Sequence, residues 1–192
     1  MAKKYEFRPD KGESSILNKL YMTKQQRLAL LRWALLALVL LVTSLLQDVI
    51  LCQLDIFGAT TDLVPCAIFL IAVQLGVERG CVFSLVSACF FQFSGSGPGY
   101  HAIAVITALC ICGAMFRQSV MRKTFSGCAL VTAVCLVLYE LIIFAVGLLL
   151  GQTVLSRVGV ALLTALLSLV ALPAIYPISR AIDKIGGEAW KD

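Results

Sequence analysis

The stretch Ser94-Gly95-Ser96-Gly97-Pro98-Gly99-Tyr100-His101-Ala102 is uncharged and glycine-rich, and it lies between two long apolar runs. It contains the single histidine of the chain. Glycine adopts backbone conformations closed to other residues, and proline cannot continue a hydrogen-bonded helix. We expect Pro98 to end the preceding helix, and Gly97 and Gly99 to allow a tight reversal. The stretch therefore predicts a hairpin between two helices, close to a membrane surface.

The composition of the whole chain is that of an integral membrane protein. Hydrophobic residues make up 60% of the 192 positions, charged residues make up 14%, and the mean hydropathy is +0.93. A helix needs about 20 apolar residues to cross a bilayer. The apolar runs therefore predict an all-α membrane domain with short loops. We place its transmembrane helices at residues 28–46, 61–77, 80–93, 100–116, 126–150 and 158–178.

The second and third runs are short, so the alternative is one long helix broken at Glu78-Arg79-Gly80. The distribution of basic residues distinguishes the two topologies, because basic residues concentrate on the cytoplasmic side of membrane proteins. Six spans with a cytoplasmic N-terminus place all of the 16 basic residues except Arg157 on one side. We therefore predict a cytoplasmic tail at residues 1–27, a six-span domain at 28–180 and a cytoplasmic tail at 181–192, with Asp48, Asp55 and Asp62 in the first outer loop.

The N-terminal tail is polar and of mixed charge, but Ile16, Leu17, Leu20 and Tyr21 recur at helical spacing. This spacing indicates an interfacial helix, and a solvated basic tail is the alternative. The net charge of +5 follows from the topology and does not argue for nucleic acid.

The eight cysteines lie in or beside apolar runs, and no Cys-x-x-Cys pair occurs. Zinc sites need thiolates clustered at short spacing, so we interpret the cysteines as buried packing residues. Cys52 and Cys66 flank the first outer loop, and a disulfide between them remains open.

Glu140 is chemically unusual, because it follows Tyr139 near the middle of a long apolar run. A carboxylate at the bilayer centre costs about 2.5–3.5 kcal/mol, so it should face the bundle interior, be protonated or be paired. Three roles remain open: a proton or solute site, an anchor for a partner helix, and a structural tie between helices. The polar residues available as partners are Tyr139, Gln74, Gln92, Thr107, Thr164 and Ser168.

Catalytic motifs are missing from the sequence. It contains no His-Glu-x-x-His, no Gly-x-Ser-x-Gly and no phosphate-binding glycine loop before a lysine. His101 has no neighbouring ligand residues and is interpreted as a hydrogen-bonding cap. We therefore expect neither catalysis nor a metal or cofactor.

Three segments, in this order and spacing, resemble the rod shape-determining MreD family. They are residues 94–102, the stretch Leu138-Tyr139-Glu140-Leu141, and the stretch Leu172-Pro173-Ala174-Ile175-Tyr176-Pro177-Ile178. The similarity covers residues 28–185, including 58–65 and 78–80. The sequence departs from the family at Gln92, where many members carry an acidic residue.

The resemblance implies a non-catalytic membrane scaffold of the bacterial cell-elongation machinery, located in the cytoplasmic membrane. Its partners would be the single-span MreC protein, with the MreB filament, the RodA glycosyltransferase and a class B penicillin-binding protein nearby. We expect the partner to contact the first outer loop and the hairpin. The candidate partner-binding or structural residues are Asp55, Ser94, Gly97, Pro98, Gly99, Tyr100, His101, Tyr139, Glu140, Pro173, Tyr176 and Pro177.

The family fold is similar to the six-helix substrate-binding S-components of energy-coupling-factor vitamin transporters, and this likeness supplies the alternative function. Such subunits usually carry small residues four positions apart in the first span, where they dock the coupling subunit. Here the first span pairs Ala29 with Trp33 and Ala34 with Leu38. The missing pattern disfavours transport.

Overall fold

A computed structural model describes residues 24–53, 59–95, 97–120 and 124–185. Within these ranges the chain is helical, with no β-strand. The interfacial helix expected in the N-terminal tail, Asp55 and the C-terminal tail beyond residue 185 lie outside the described residues. The helices are α1 (Lys24–Val49), α2 (Leu63–Leu75), α3 (Val77–Phe93), α4 (His101–Val120), α5 (Phe125–Leu149), α6 (Val158–Leu169) and α7 (Leu172–Lys184), with 3-10 turns at Leu51–Gln53 and Leu155–Arg157.

Helix α2 forms the centre of the bundle and contacts each of the other six helices. Every residue from Leu63 to Val73 is buried. A helix that is apolar on all sides has no face for an aqueous surface, so it is buried in the interior. The remaining helices surround α2 and cover it.

Three helices, α1, α4 and α5, are long and apolar enough to cross a membrane. The pair α6 and α7 passes the same test together, with a bend of 48° between its two parts, and would make a fourth. Helix α2 has 13 residues and is therefore about 20 Å long, whereas the hydrocarbon core is about 30 Å thick. The predicted all-α class is confirmed, and the long apolar helices are compatible with a multi-pass membrane protein.

One continuous helix was predicted at residues 158–178, and the structure divides it. Helix α6 ends at Leu169, and α7 begins at Leu172. Pro173 lies in the first turn of α7 and has no N–H group to continue the hydrogen-bond pattern of α6. The proline therefore accounts for the bend.

The break between the second and third runs is at Gly76, and not at Glu78-Arg79-Gly80 as expected. Gly76 has a φ of 85°, a left-handed conformation that favours glycine. A Cβ atom at this position would come within 2.8 Å of Gln118 Nε2. Glu78 and Arg79 consequently belong to the first turn of α3, where the carboxylate of Glu78 suits the positive end of the helix dipole.

Side chains from distant parts of the chain meet at one end of the bundle, which we call the basic end. Arg32 on α1 forms an ion pair with Asp183 on α7. Arg117 on α4 donates a hydrogen bond to the carbonyl of Val73 on α2. The hairpin between α3 and α4 and the loop between α5 and α6 lie at the opposite end of these helices.

Candidate functional site

The N-terminus of α2 is held by side chains from two other helices. The first N–H groups of a helix have no partner within it and must be satisfied from outside when they are buried. The Asp62 amide donates to Ser168 Oγ on α6 at 2.8 Å, and the Val64 amide donates to Gln47 Oε1 on α1 at 2.8 Å. Ser168 and Gln47 are both buried. These contacts fix the N-terminus of α2 inside the bundle.

Asp62 is the residue that precedes α2, but its side chain forms no capping hydrogen bond. Its carboxyl group instead interacts electrostatically with the carboxyl group of Glu140 on α5. Only 8% of Glu140 is exposed. We call these two side chains the carboxyl pair.

The surroundings of the carboxyl pair are polar but contain no positive charge. Tyr139 is fully buried next to the pair, and its ring meets Phe69 edge-on with the ring centroids 5.9 Å apart. Thr61 Oγ1 and Glu140 Oε1 are buried atoms without a hydrogen-bond partner. Among the described residues, no lysine, arginine or histidine acts on either carboxyl group. Neither carboxyl group therefore forms an ion pair with a basic side chain of the described residues.

Glu140 was predicted to be a buried polar residue, with Tyr139 as its neighbour. Asp62 was predicted in the outer loop, and its interaction with Glu140 was not predicted. The sequence did contain a signal that Asp62 lies at the start of a helix, because an Asp directly before an apolar run is typical of that position. Other proposed partners are engaged elsewhere: Thr107 Oγ1 donates to the Ile103 carbonyl at 2.7 Å, and Ser168 Oγ donates to the Thr164 carbonyl at 2.8 Å.

The hairpin between α3 and α4 is organised by Gln92. Gln92 Oε1 accepts a hydrogen bond from the Gly99 amide at 3.3 Å. Helix α3 ends at Phe93, and Ser94 Oγ donates to the Phe91 carbonyl at 2.8 Å. The helix thus ends five residues before Pro98, so the expected role of Pro98 as its terminator is wrong. Pro98 lies instead within the reversal.

The tip of the hairpin presents large side chains to the surface. Tyr100 is 79% exposed and Phe93 is 80% exposed. His101 begins α4, and Gly99 before it has a φ of 139°. A Cβ atom at Gly99 would come within 2.7 Å of the His101 ring, so the glycine lets the ring pack against the backbone. The predicted surface around Tyr100 and His101 is therefore accessible.

The segment at residues 172–178 lies on α7. Pro173 and Pro177 are exposed, whereas Tyr176 is half-buried. The Tyr176 ring meets Phe125 edge-on with the ring centroids 4.7 Å apart, and the Arg180 guanidinium lies 6.0 Å from the ring centre. Tyr176 therefore ties α7 to the start of α5.

An apolar groove and a polar cleft are among the surface depressions of the described residues. The groove, of about 380 Å³, lies between α1 and α3, and we call it the α1/α3 groove. The cleft, of about 630 Å³, lies at the basic end. The groove is lined by Trp33, Ala37, Leu40, Leu41, Val82, Phe83, Val86, Ser87 and Phe90. The cleft is lined by Arg32, Gln74, Leu75, Gly76, Val77, Glu78, Arg79, Met115, Gln118, Ser119 and Asp183.

The cysteines of the described segments are free thiols. Cys66 is buried in α2, and the side chain of Cys52 lies outside the described residues. In the part of the chain that the structure describes, no three His, Cys, Asp or Glu side chains come together as a metal site would require.

No protein-family model, curated protein or solved structure matches this chain.

Proposed function

We propose that this protein is a non-catalytic membrane scaffold of the bacterial cell-elongation complex, similar to the MreD family, and that it binds an MreC-like single-span protein. The observation that carries the proposal is the α1/α3 groove. It is apolar, opens to the outside of the bundle and is shaped by two helices. A surface of this kind suits a transmembrane helix of a partner.

The side chains that line the α1/α3 groove are suited to packing against another helix. In a bilayer, helices associate through close packing and through small or polar side chains at the contact. Ala37 and Ser87 supply such small side chains, and Ser87 is buried. Val86, 63% exposed, and Phe90 on α3 supply exposed apolar contacts. We assign the groove to the single membrane helix of the MreC-like partner.

The hairpin gives the partner a second contact. Phe90 lines the groove, and α3 continues from it to Phe93 at the start of the hairpin. A partner helix in the groove would leave the membrane next to Tyr100. We propose that its juxtamembrane segment contacts Tyr100 and His101 there.

We further propose that the chain crosses the cytoplasmic membrane six times, with both termini in the cytoplasm. The meeting of Arg32, Arg117 and Asp183 at one end of the bundle supports this topology, as does the position of Arg79 at the same end. The positive-inside rule makes that end cytoplasmic. The basic end would then face the MreB filament or anionic lipid, with RodA and the class B penicillin-binding protein as neighbours in the membrane.

Site-specific photocrosslinking in living cells tests the proposal. Crosslinkers at Val86, Phe90 and Tyr100 should capture the MreC-like protein. Matched crosslinkers at Leu130 and Val134, which are exposed on α5, should not. Equal capture from both faces, or none from the groove at normal expression, would contradict the proposal. Capture of a transporter coupling subunit at the groove would favour the S-component alternative.

A further inference from the structure

Among the described residues that line the α1/α3 groove, Ser87 on α3 carries the one hydroxyl group. Only 3% of the residue is exposed. It lies ten residues after the start of α3 at Val77 and six residues before its end at Phe93. At a rise of 1.5 Å per residue, Ser87 is therefore about 15 Å from one end of the helix and about 9 Å from the other. The hydroxyl is a polar group deep in an apolar groove.

The Ser87 hydroxyl has no hydrogen-bond partner within the described residues. A serine in a helix commonly donates to the carbonyl of the residue three or four positions earlier. Ser84 Oγ on the same helix donates to the Cys81 carbonyl at 3.0 Å, and Ser94 Oγ donates to the Phe91 carbonyl at 2.8 Å. Ser87 Oγ makes neither this bond nor another one with a described residue. Its hydrogen-bonding capacity is left for a group in the groove.

The free hydroxyl favours a polar occupant of the groove over lipid. In the proposed topology Ser87 lies within the membrane, where water is absent and an unpaired polar group costs free energy. An acyl chain can neither donate nor accept a hydrogen bond. Helices in a bilayer do bond to each other through Ser, Thr, Asn and Gln side chains. A helix that carries such a side chain therefore fits the groove better than a lipid tail.

The side chains around Ser87 fix the level at which this polar group can lie. Trp33 on α1 and Phe83 on α3 meet on the side of the basic end, with their ring centroids 6.4 Å apart. Ala37 and Ser87 each lie four residues further along their helices, and Phe90 follows on α3. The two small side chains thus face each other between aromatic side chains. Small residues at this level let another helix approach closely.

We infer that the occupant of the α1/α3 groove is a partner's membrane helix that hydrogen-bonds Ser87 Oγ through its own serine, threonine, asparagine or glutamine. This rests on the proposed function of the groove as a helix-binding surface, and it adds the chemistry by which the partner is recognised. The bond lies between the levels of Phe83 and Phe90. It fixes the register of the partner helix, because apolar contacts with Val82 and Val86 alone would let that helix slide.

Photocrosslinking in cells, followed by a binding titration, tests the inference. A crosslinker at Val86 should capture the MreC-like protein, and mass spectrometry should place one of the four polar residues within about one helical turn of the captured position. In a titration of the purified full chain with that protein in mixed micelles, Ser87→Ala should weaken binding about threefold, the size expected for one hydrogen bond between membrane helices. Ser87→Thr keeps a hydroxyl group and should retain most of the affinity.

Ser84→Ala is the matched control, because Ser84 is buried on the same helix but its hydroxyl is bound within α3. It should leave the affinity unchanged. Without the partner, Ser87→Ala should unfold at the same denaturant concentration as the wild type, since no described residue loses a hydrogen bond. Capture of the MreC-like protein with equal affinities for wild type and Ser87→Ala would overturn the inference and leave the proposed function intact. Capture of lipid alone, of a second copy of this chain or of nothing would overturn both.

Discussion

Both ends of α2 carry backbone groups that need hydrogen-bond partners from outside the helix, and different kinds of side chain supply those partners at the two ends. At its N-terminus the N–H groups are bound by neutral side chains, Gln47 and Ser168, next to the carboxyl pair. At its C-terminus a carbonyl accepts from the buried guanidinium of Arg117. Val64 and Val73, which carry the amide and the carbonyl concerned, are both fully buried, so neither backbone group can rely on water. A short helix in the interior of this helical bundle therefore depends on polar side chains from its neighbours.

The difference between the ends lies in charge. The Arg117 guanidinium suits the negative end of the helix dipole, and acidic groups suit the positive end. The basic end keeps its charges fixed, because arginine does not lose its proton in proteins. We therefore expect α2 to be anchored more firmly at the basic end than at its N-terminus.

Removing the Arg117 guanidinium, which anchors the C-terminus of α2, should have the largest effect on the free energy of unfolding. Arg117→Met keeps a long side chain but leaves the Val73 carbonyl without its buried donor, which should cost about 3 kcal/mol of the free energy of unfolding. Unfolding in mixed micelles measures the change. Arg79→Met is the matched control, because Arg79 is exposed, and it should change stability little. Equal costs for the two variants would refute the anchoring role of Arg117.

Substitution of Glu140 in the carboxyl pair should have the second-largest effect on the free energy of unfolding. Glu140→Leu leaves the Asp62 carboxyl group without its partner and should cost about 2 kcal/mol, whereas Glu140→Gln keeps a polar side chain there and should cost less than about 0.5 kcal/mol at neutral pH. The same unfolding assay compares the two variants. If leucine were tolerated as well as glutamine, the side chain at residue 140 would have to face lipid.

The uncharged side chains that bind the N-terminus of α2, Gln47 and Ser168, should contribute less to the free energy of unfolding. Gln47→Leu removes the acceptor for the Val64 amide and should cost about 1–2 kcal/mol. Gln53 is the control position, because it lies just after the same helix and is exposed. Gln53→Leu should therefore leave the unfolding free energy nearly unchanged. A Gln47→Leu variant as stable as wild type would show that the N-terminus of α2 needs no side-chain acceptor.

Gln92 should have the smallest effect, because its bond to the Gly99 amide is longer and lies nearer the surface. Gln92→Ala should cost about 0.5 kcal/mol, at the low end for a hydrogen bond, while Gln92→Glu keeps an acceptor at the same place. Hydrogen exchange of the Gly99 amide measures the difference. Faster exchange in both variants to the same extent would contradict the role of the Gln92 carbonyl.

Periodicity and composition predicted the helical class and most helix positions within a few residues. The hairpin at 94–102 was placed correctly because glycine and proline act locally. The break at Gly76 and the bend before Pro173 were missed, since two turn signals lay close together in each region. The Asp62 contact depends on how deeply the N-terminus of α2 enters the bundle, and that depth is a property of tertiary packing. Local sequence could therefore identify Glu140 but not its partner.

Affinity purification in mild detergent, with identification of the co-purifying proteins, tests the scaffold role most directly. We expect the wild type to retain an MreC-like single-span protein. Groove variants such as Val86→Glu should lose it at normal expression, whereas Val134→Glu on the exposed face of α5 should not. Recovery of transporter ATPases and a coupling subunit in place of the single-span protein would contradict the scaffold.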